Sequence, residues 1–382
     1  MELIATTAKY LEDTTAREIR GLGLKVLRVA PGAVEFQGNL KAGMSACLEL
    51  RSARRVLLKI GELEAAGEKA LYERVRSLPW KDYLTPDHTF AVHASVRDSV
   101  LTHSGFAALK VKDAVADYFR DAFGRRPNVE RRNPDVGIAV HLADNRCTLS
   151  LDMSGGPLHK RGYRAGRVVA PLNETLGAGI LLLMGFNGDE PFADPFCGSG
   201  TLCIEAALMA TRTAPGLLRR LPFGFERWPG FKRKAWDEVK EQSRAAIRLA
   251  PAPVWGSDLD RGAVEASTRN ADEAGLGSSI RFETRAVWDF RPPPGNPGVL
   301  AMNPPYGDHA GSGEDLEALY RTLGTVLKHQ CPGWRAGVLT GAPELGKRVG
   351  LKPSRKIPLM NGPMECRLLV YALYAGTKKR EK

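Results

Sequence analysis

Histidine is scarce, with seven in 382 residues, and no two of the six cysteines form a Cys-x-x-Cys pair. No Cys/His cluster has zinc-ligand spacing, so nothing in the sequence supports a metal site. The cysteines at 47, 147, 197, 203, 331 and 366 read as reduced thiols of a cytosolic protein. Long apolar runs are also missing; the stretch 180–184 is far too short to cross a bilayer. Residues 1–11 carry acid early and no extended apolar segment, unlike a signal peptide. A cytoplasmic chain with neither membrane nor metal partner is the expectation.

What is present in excess is positive charge. The formal net charge is +12, while the hydrophobic share of 43% and charged share of 26% are ordinary for a globular protein. An anionic partner fits that balance. The charge is uneven: residues 1–155 carry 23 Lys/Arg against 20 Asp/Glu, and residues 156–382 carry 32 against 23. One basic run is His159-Lys160-Arg161-Gly162-Tyr163-Arg164-Ala165-Gly166-Arg167. The other lies between Arg212 and Lys234, includes Arg219 and Arg220, and is interleaved with Phe223, Phe225, Trp228 and Phe231. Cations among aromatics suit phosphate contact with base stacking, and equally suit a buried aromatic core under a charged loop.

The length accommodates two or three domains. Residues 1–52 read β-α-β-β-α, a truncated ferredoxin-like order, with strands at 3–6, 25–29 and 33–37 and helices at 15–22 and 38–50. Residues 53–154 give a strand at 56–60, amphipathic helices at 64–77 and 104–123, a strand at 89–96 and a hairpin of 138–142 with 147–152 around Asp144-Asn145. Its histidines are scattered, so this segment reads as a binding module. Residues 155–175 are Gly- and Arg-rich and read as a linker. From 176 to 382, strands and helices alternate, as in a parallel sheet. Strands are expected at 191–194, 254–260, 280–284, 299–302 and 336–340, closed by a hairpin near 356–359 and 366–374 across Asn361-Gly362. That is a doubly wound α/β sheet with an antiparallel edge.

Two motifs sit at strand ends of that sheet, where ligands bind in open α/β folds. Asp194-Pro195-Phe196-Cys197-Gly198-Ser199-Gly200 joins a strand to a helix, and its glycines permit close backbone approach. A dinucleotide fingerprint would want Gly or Ala at 203, where this chain has Cys203, and an acid about twenty residues on, which is missing. The acids come instead at Asp258 and Asp260, after the next strand, where a carboxylate can take both hydroxyls of a ribose. The combination points to S-adenosylmethionine. The second motif, Asn303-Pro304-Pro305-Tyr306-Gly307, ends an apolar strand in a stiff loop, because proline lacks the ladder N–H and pushes its predecessor from αR.

Together these two motifs are similar to those of class I methyltransferases that act on exocyclic amines of nucleic acids. With Asp152-Met-Ser-Gly-Gly-Pro-Leu-His-Lys-Arg-Gly-Tyr-Arg164, Ala170-Pro-Leu-Asn-Glu-Thr-Leu-Gly-Ala178, Phe223-Gly-Phe-Glu-Arg-Trp-Pro229 and Asn361-Gly-Pro-Met-Glu-Cys-Arg367, the chain resembles THUMP-domain RNA guanine-N2 methyltransferases of the bacterial 23S rRNA type. The resemblance covers nearly the whole chain. It implies a ferredoxin-like unit (1–52), an RNA-binding THUMP domain (53–154), a linker (155–175) and a Rossmann-like methyltransferase domain (176–382). It implies catalysis by Asn303, Pro304 and Tyr306: the Asn303 oxygen and Pro304 carbonyl accept from the guanine amine, and Tyr306 stacks on a base that must first leave any duplex. Cofactor contacts are expected from Glu174, Thr175, Asp194, Phe196, Gly198, Gly200, Thr201, Asp258, Leu259, Asp289 and Asn303, and RNA contacts from Lys160, Arg161, Arg164, Arg167, Arg219 and Arg220.

Two positions depart from the family pattern. Ala286 stands where an acid commonly meets the adenine amine, with Asp289 three residues on as the substitute, and Asp308-His309 follows the second motif where Glu is commoner. Readings kept beside this one are the same reaction on tRNA, a DNA adenine-N6 methyltransferase, a nucleotide-dependent dehydrogenase weakened by Cys203, and a non-catalytic RNA-binding protein.

Overall fold

The computed structural model describes residues 1–166, 171–306 and 315–375. The chain forms two compact units, one of residues 1–7, 15–158 and 220–241, the other of 8–14, 159–219 and 242–382.

The first unit is built on one eight-stranded sheet in the order β2-β3-β1-β4-β8-β7-β5-β6. Its strands are β1 (Glu2–Thr7), β2 (Lys25–Ala30), β3 (Ala33–Gln37), β4 (Ala53–Glu64), β5 (Thr89–Arg97), β6 (Asn128–Val129), β7 (Val136–Ala143) and β8 (Arg146–Asp152), interspersed with helices α1 (Glu12–Gly21), α2 (Leu40–Glu49), α3 (Glu68–Arg76) and α4 (Ser104–Phe123). Asn39 caps α2 through its side chain, and Gly124 ends α4 in the left-handed conformation that glycine tolerates. The centre of the sheet is β4. It pairs with β1 over residues 53–58 and with β8 over 57–64, with a bulge between Lys59 and Gly61. The expected boundary at 52/53 therefore falls just before a strand that both halves share. The strand also runs four residues past the expected end at 60. Lys59 and Arg146 pair with Glu62, which lets a Glu-rich stretch stay extended.

Residues 220–241 join this first unit although they lie within the sequence of the second. Phe223, Phe225 and Trp236 are buried, with Phe223 and Phe225 stacked at 5.4 Å and both meeting Trp236 edge-on. Trp228 packs partly buried on the hydrophobic cluster around Trp80, Phe90 and Phe119. These aromatics are core, and the base-stacking reading of Phe223, Phe225 and Trp228 gives way to it. Helix α7 (Arg233–Ala245), which the aromatic-basic pattern hid, follows directly.

The second unit carries a seven-stranded sheet in the order β11-β10-β9-β12-β13-β15-β14. Its elements are α5 (Glu174–Leu183), β9 (Phe192–Asp194), α6 (Thr201–Ala210), β10 (Val254–Asp258), α8 (Arg261–Glu273), β11 (Ile280–Thr284), β12 (Val299–Met302), α9 (Leu316–Gln330), β13 (Arg335–Thr340), α10 (Pro343–Arg348), β14 (Arg355–Asn361) and β15 (Met364–Ala372). Strands β9 to β13 are mutually parallel, and β15 and β14 close the edge antiparallel, as the alternating pattern predicts. Both faces are covered, which is why β12 reads as an unbroken apolar run. All six cysteines are buried. Among the described residues no helix is long and apolar enough to cross a membrane.

Candidate functional site

Three adjacent strands end on one edge of the second sheet. Ala193 of β9 pairs with Trp255 of β10 on one side and Leu300 of β12 on the other. Asp258 and Asn303 each stand three residues beyond those partners, so they flank the loop that leaves β9. Two strand spacings separate them, about 10 Å.

The loop 194–200 is held from the β10 side. Cys197 N–H donates to Ser257 O at 2.9 Å, and Gly198 N–H donates to Asp258 Oδ2 at 2.9 Å. Asp258 Oδ1 accepts from Asp260 N–H at 3.0 Å, so the carboxylate is oriented by two backbone donors. Gly198 and Gly200 take φ of 53° and 82°. A Cβ on Gly200 would lie 2.8 Å from Ser267 Cβ, whereas one on Gly198 would meet nothing within 4 Å. Gly200 is thus fixed by packing against α8, while the backbone at Gly198 is open to a ligand. Asp194 is 1% exposed and accepts from Phe196 N–H at 2.9 Å. Burial pushes its carboxyl well above the usual range; the Phe196 N–H works against this, and the charge of Asp258 adds to it.

Asn270 is a residue that sequence reasoning missed. It is buried on α8, donates from Nδ2 to Ser199 O at 2.9 Å and accepts from Ala165 N–H at 2.9 Å. It ties the loop to the segment carrying the first basic run. Its only signal in the sequence is a polar residue on the packed side of a helix.

In that segment the structure separates charges that the sequence grouped. Arg161 is 2% exposed and its Nε donates to Glu205 Oε1 at 3.3 Å; the Tyr163 hydroxyl donates to the same oxygen at 3.3 Å. Arg164 Nε donates to Glu174 Oε1 at 2.6 Å, and its other nitrogens reach Leu172 O at 2.7 Å, Thr201 Oγ1 at 3.2 Å and Ser199 Oγ at 3.4 Å. Arg161 braces the domain from within, which corrects its assignment to RNA contact, whereas Arg164 is tied to the protein by these bonds but stays partly exposed. The pairings span 44 and 10 residues, beyond the reach of a local charge count. Lys160 is exposed beside a cleft of about 430 Å³ that Arg164, Asn173 and Glu174 also line. Arg219 is half-buried and Arg220 exposed, and Arg167 lies outside the described residues.

The expected cofactor residues gather near the strand ends. Glu174 and Thr175 begin α5 behind Asn173, whose side chain accepts from Thr175 N–H at 3.0 Å. Thr201 opens α6 after the loop. Arg285 N–H donates to Asp258 O at 2.9 Å, which carries the β10–β11 pairing one residue further and sets Leu259 beside Arg285, one residue before Ala286. Leu259, Trp288 and Asp289 are exposed there.

The second motif shows one fitting feature and one surprise. The Asn303 side-chain oxygen is buried and has no hydrogen-bond partner among the described residues. Tyr306 is 7% exposed; its hydroxyl accepts from Asn361 Nδ2 at 3.1 Å and lies 3.6 Å from Cys366 Sγ. A Cβ on Gly341 would stand 2.9 Å from the Tyr306 ring. Burial raises the hydroxyl pKa, as does its contact with Cys366. At that exposure the described residues leave the ring little surface for a base. Instead Tyr306 anchors the loop to the β14–β15 hairpin, a role that Asn361 shares and that the sequence showed only as a turn signal. Gly307, Asp308 and His309 lie outside the described residues.

Comparison with known proteins agrees with this architecture. Family models match in order: the RlmL ferredoxin-like domain over 2–57, the THUMP domain over 65–152 and the RMKL-like methyltransferase domain over 161–369. The chain is 42% identical over 381 residues to ribosomal RNA large subunit methyltransferase K/L of Syntrophotalea carbinolica, covering 97% of this chain and 53% of that protein. It therefore spans about half the length of the K/L relatives that it matches. A putative RNA methyltransferase of Synechocystis is 38% identical, with 97% and 96% of the two chains covered. Among solved structures, SMU.472, a putative methyltransferase complexed with SAH, superposes with a TM-score of 0.88 at 31% identity over 99% of both chains. A predicted N6-adenine-specific DNA methylase from Listeria monocytogenes superposes with a TM-score of 0.87 at 33% identity over 97% and 96%. By these matches and by the site they surround, the chain belongs to the RMKL-like methyltransferase family, with ferredoxin-like and THUMP modules ahead of its catalytic domain.

Proposed function

We propose that this chain transfers a methyl group from S-adenosylmethionine to the exocyclic N2 of a guanine in RNA, with 23S rRNA as the substrate and the cytoplasm as its place of action. The observation that carries the reading is the buried oxygen of Asn303, which has no hydrogen-bond partner among the described residues. A buried carbonyl without a donor costs about 1–3 kcal/mol, so it is retained where a ligand supplies the donor. An exocyclic amine is such a donor.

The residues fit the cofactor. The open backbone at Gly198 admits its amino-acid portion, and the oriented Asp258 carboxylate suits ribose hydroxyls. Leu259, Ala286, Trp288 and Asp289 offer the adenine side of the edge, with Asp289 as the acid that Ala286 lacks. S-adenosylmethionine, when bound, supplies an electrophilic sulfonium methyl. The chain's part is positioning. Asn303 Oδ1 and the Pro304 carbonyl accept the two amine N–H bonds and turn the nitrogen lone pair toward the cofactor side. As the N–C bond forms, the methyl–sulfur bond would break with its electron pair left on a neutral thioether, and the nitrogen, now acidic, sheds a proton to solvent, so no dedicated base is needed. Tyr306 holds the loop in place from behind.

The relatives named for large-subunit rRNA support that substrate, and the THUMP module supports RNA over DNA. The same reaction on tRNA is the second reading. Mass spectrometry of nucleosides from rRNA, tRNA and DNA incubated with labelled cofactor tests all three. N2-methylguanosine in rRNA is expected; N6-methyladenine in DNA, or no product in any pool, would overturn the proposal.

A further inference from the structure

The second basic run is unexplained by the site, yet its cations converge with others in the first unit. Arg227 NH1 donates to Asn133 Oδ1 at 3.0 Å and to Pro134 O at 3.1 Å, and His88 Nε2 lies 3.2 Å from Arg227 O. Three segments distant in sequence are thereby pinned together: the approach to β5, the stretch between α4 and β7, and the insert. Arg125 belongs to the same neighbourhood, bound in a bidentate pair to Asp87 at 2.7 and 3.0 Å.

Around this junction stand Arg126, Arg131 and Arg132 from the α4–β7 stretch, and Lys232, Arg233 and Lys234 from the insert. All six are exposed, and none forms an ion pair among the described residues. The turns Trp228 N–H to Phe225 O and Phe231 N–H to Trp228 O fold the chain between Arg227 and Lys232. Those five residues span at most about 18 Å. Of the nearby acids, Asp87 is paired with Arg125, Asp237 with Lys240 and Glu238 with Lys41, while Glu130 accepts from the Arg132 backbone N–H at 2.7 Å and keeps its charge. Apolar rings stand among the cations. Phe123 is exposed at the end of α4, and Phe231 is half-buried with the Arg233 guanidinium 5.5 Å from its centroid.

We infer that residues 220–241, encoded within the methyltransferase sequence, complete an RNA-binding face on the THUMP unit, with Arg131 and Arg132 on one side and Lys232 and Lys234 on the other. The occupant is single-stranded or loop RNA. Unspent cations neutralise its phosphates, and the rings of Phe123 and Phe231 meet its unpaired bases, a pairing of features that an acidic peptide or a lipid surface does not require. The inference rests on the proposal that the substrate is RNA, and extends it to where that RNA is held.

The test uses the full chain, a fluorescein-labelled unstructured 20-nucleotide RNA and anisotropy titrations at several salt concentrations. The variants are Arg131→Ala with Arg132→Ala, Lys232→Ala with Lys234→Ala, and all four together. Each lost phosphate contact lowers the log–log salt slope by about 0.7, or roughly fivefold in affinity near 0.1 M salt. Each pair should then weaken binding by roughly 25-fold, with the two effects multiplying in the quadruple variant. Melting temperature and calorimetric cofactor affinity should stay unchanged. The inference is overturned if the insert pair leaves the slope intact, or if the variants lose phosphatidylserine-vesicle binding while RNA binding persists. Because the readout is binding, the two proposals fail separately. A chain that binds RNA through this face but methylates nothing refutes only the function. Variants that keep full RNA affinity in a chain that methylates RNA refute only the face.

Discussion

Replacing Asn303 by alanine should cost activity without costing stability, an unusual pairing for a largely buried polar side chain. In the structure the amide oxygen has no donor among the described residues. Truncation removes that desolvated carbonyl, relieving about 1–3 kcal/mol. Against this stands roughly 0.8 kcal/mol for each lost methylene-sized contact. The balance is near zero or stabilising. For a unit of this size each kcal/mol moves the melting temperature by about 2–4 °C, so Asn303→Ala should melt at or slightly above the parent. Catalysis should respond oppositely. If the oxygen aligns the amine in the transition state, its loss compares with deleting one preorganised polar contact, about 2.7–4 kcal/mol or a 10²- to 10³-fold fall in kcat. Calorimetry with S-adenosylmethionine should show near-parental affinity. Differential scanning calorimetry and a radiolabelled-methyl assay measure the remaining two quantities. A melting temperature lowered by more than about 4 °C would mean the oxygen was satisfied all along. Unchanged turnover would remove Asn303 from catalysis.

Asn270→Ala should behave in the reverse manner. It deletes hydrogen bonds to Ser199 O and Ala165 N–H and leaves both groups without that partner, so urea titration should show about 2–3 kcal/mol lost, with cofactor affinity falling alongside; stability within 0.5 kcal/mol of the parent, about the scatter for an uninvolved surface site, would contradict the bracing role. Asp194 gives a pH test. Its folded pKa is raised, chiefly by burial, so between its unfolded and folded values the native state holds the extra proton and stability falls as pH rises. Asp194→Asn removes that term and should flatten the decline between pH 5 and pH 8, intervals chosen to lie above the roughly 3.9 of an unperturbed Asp. Urea midpoints at the two pH values decide, and an equally steep decline in the variant would refute the assignment.

The parts of the structure legible in the sequence are those that local chemistry dictates. The β12 strand announces itself as an apolar run because both sheet faces are covered, and the ends of β9 and β12 show as Asp-Pro and Asn-Pro because proline stops a ladder. What stayed hidden was set by distant partners. The far end of β4 is Gly-Glu-Leu-Glu, which favours a helix until pairing with β8 overrides it. Arg161 and Arg164 look like a phosphate-binding run until Glu205 and Glu174 arrive to claim them. Phe223 and Phe225 read equally as stacking surfaces or as core, because nothing local reveals that they pack on one another and on Trp236. Tyr306 was placed by its motif, but the direction of its ring is decided by Asn361, 55 residues away.

The insert has a consequence for the order in which the molecule can be made. The first unit has its last strand complete at Asp152, yet its cluster around Trp80 and Phe90 receives Trp228 only later. At roughly 5–20 residues per second, a ribosome needs several seconds to carry the chain from residue 158 to residue 241. During that interval the nascent front unit waits without one of its own pieces. Sealing it requires that α5, β9 and α6 of the second unit have already emerged. The two units are consequently interleaved in time as well as in sequence, and neither is a module that synthesis can finish before starting the other.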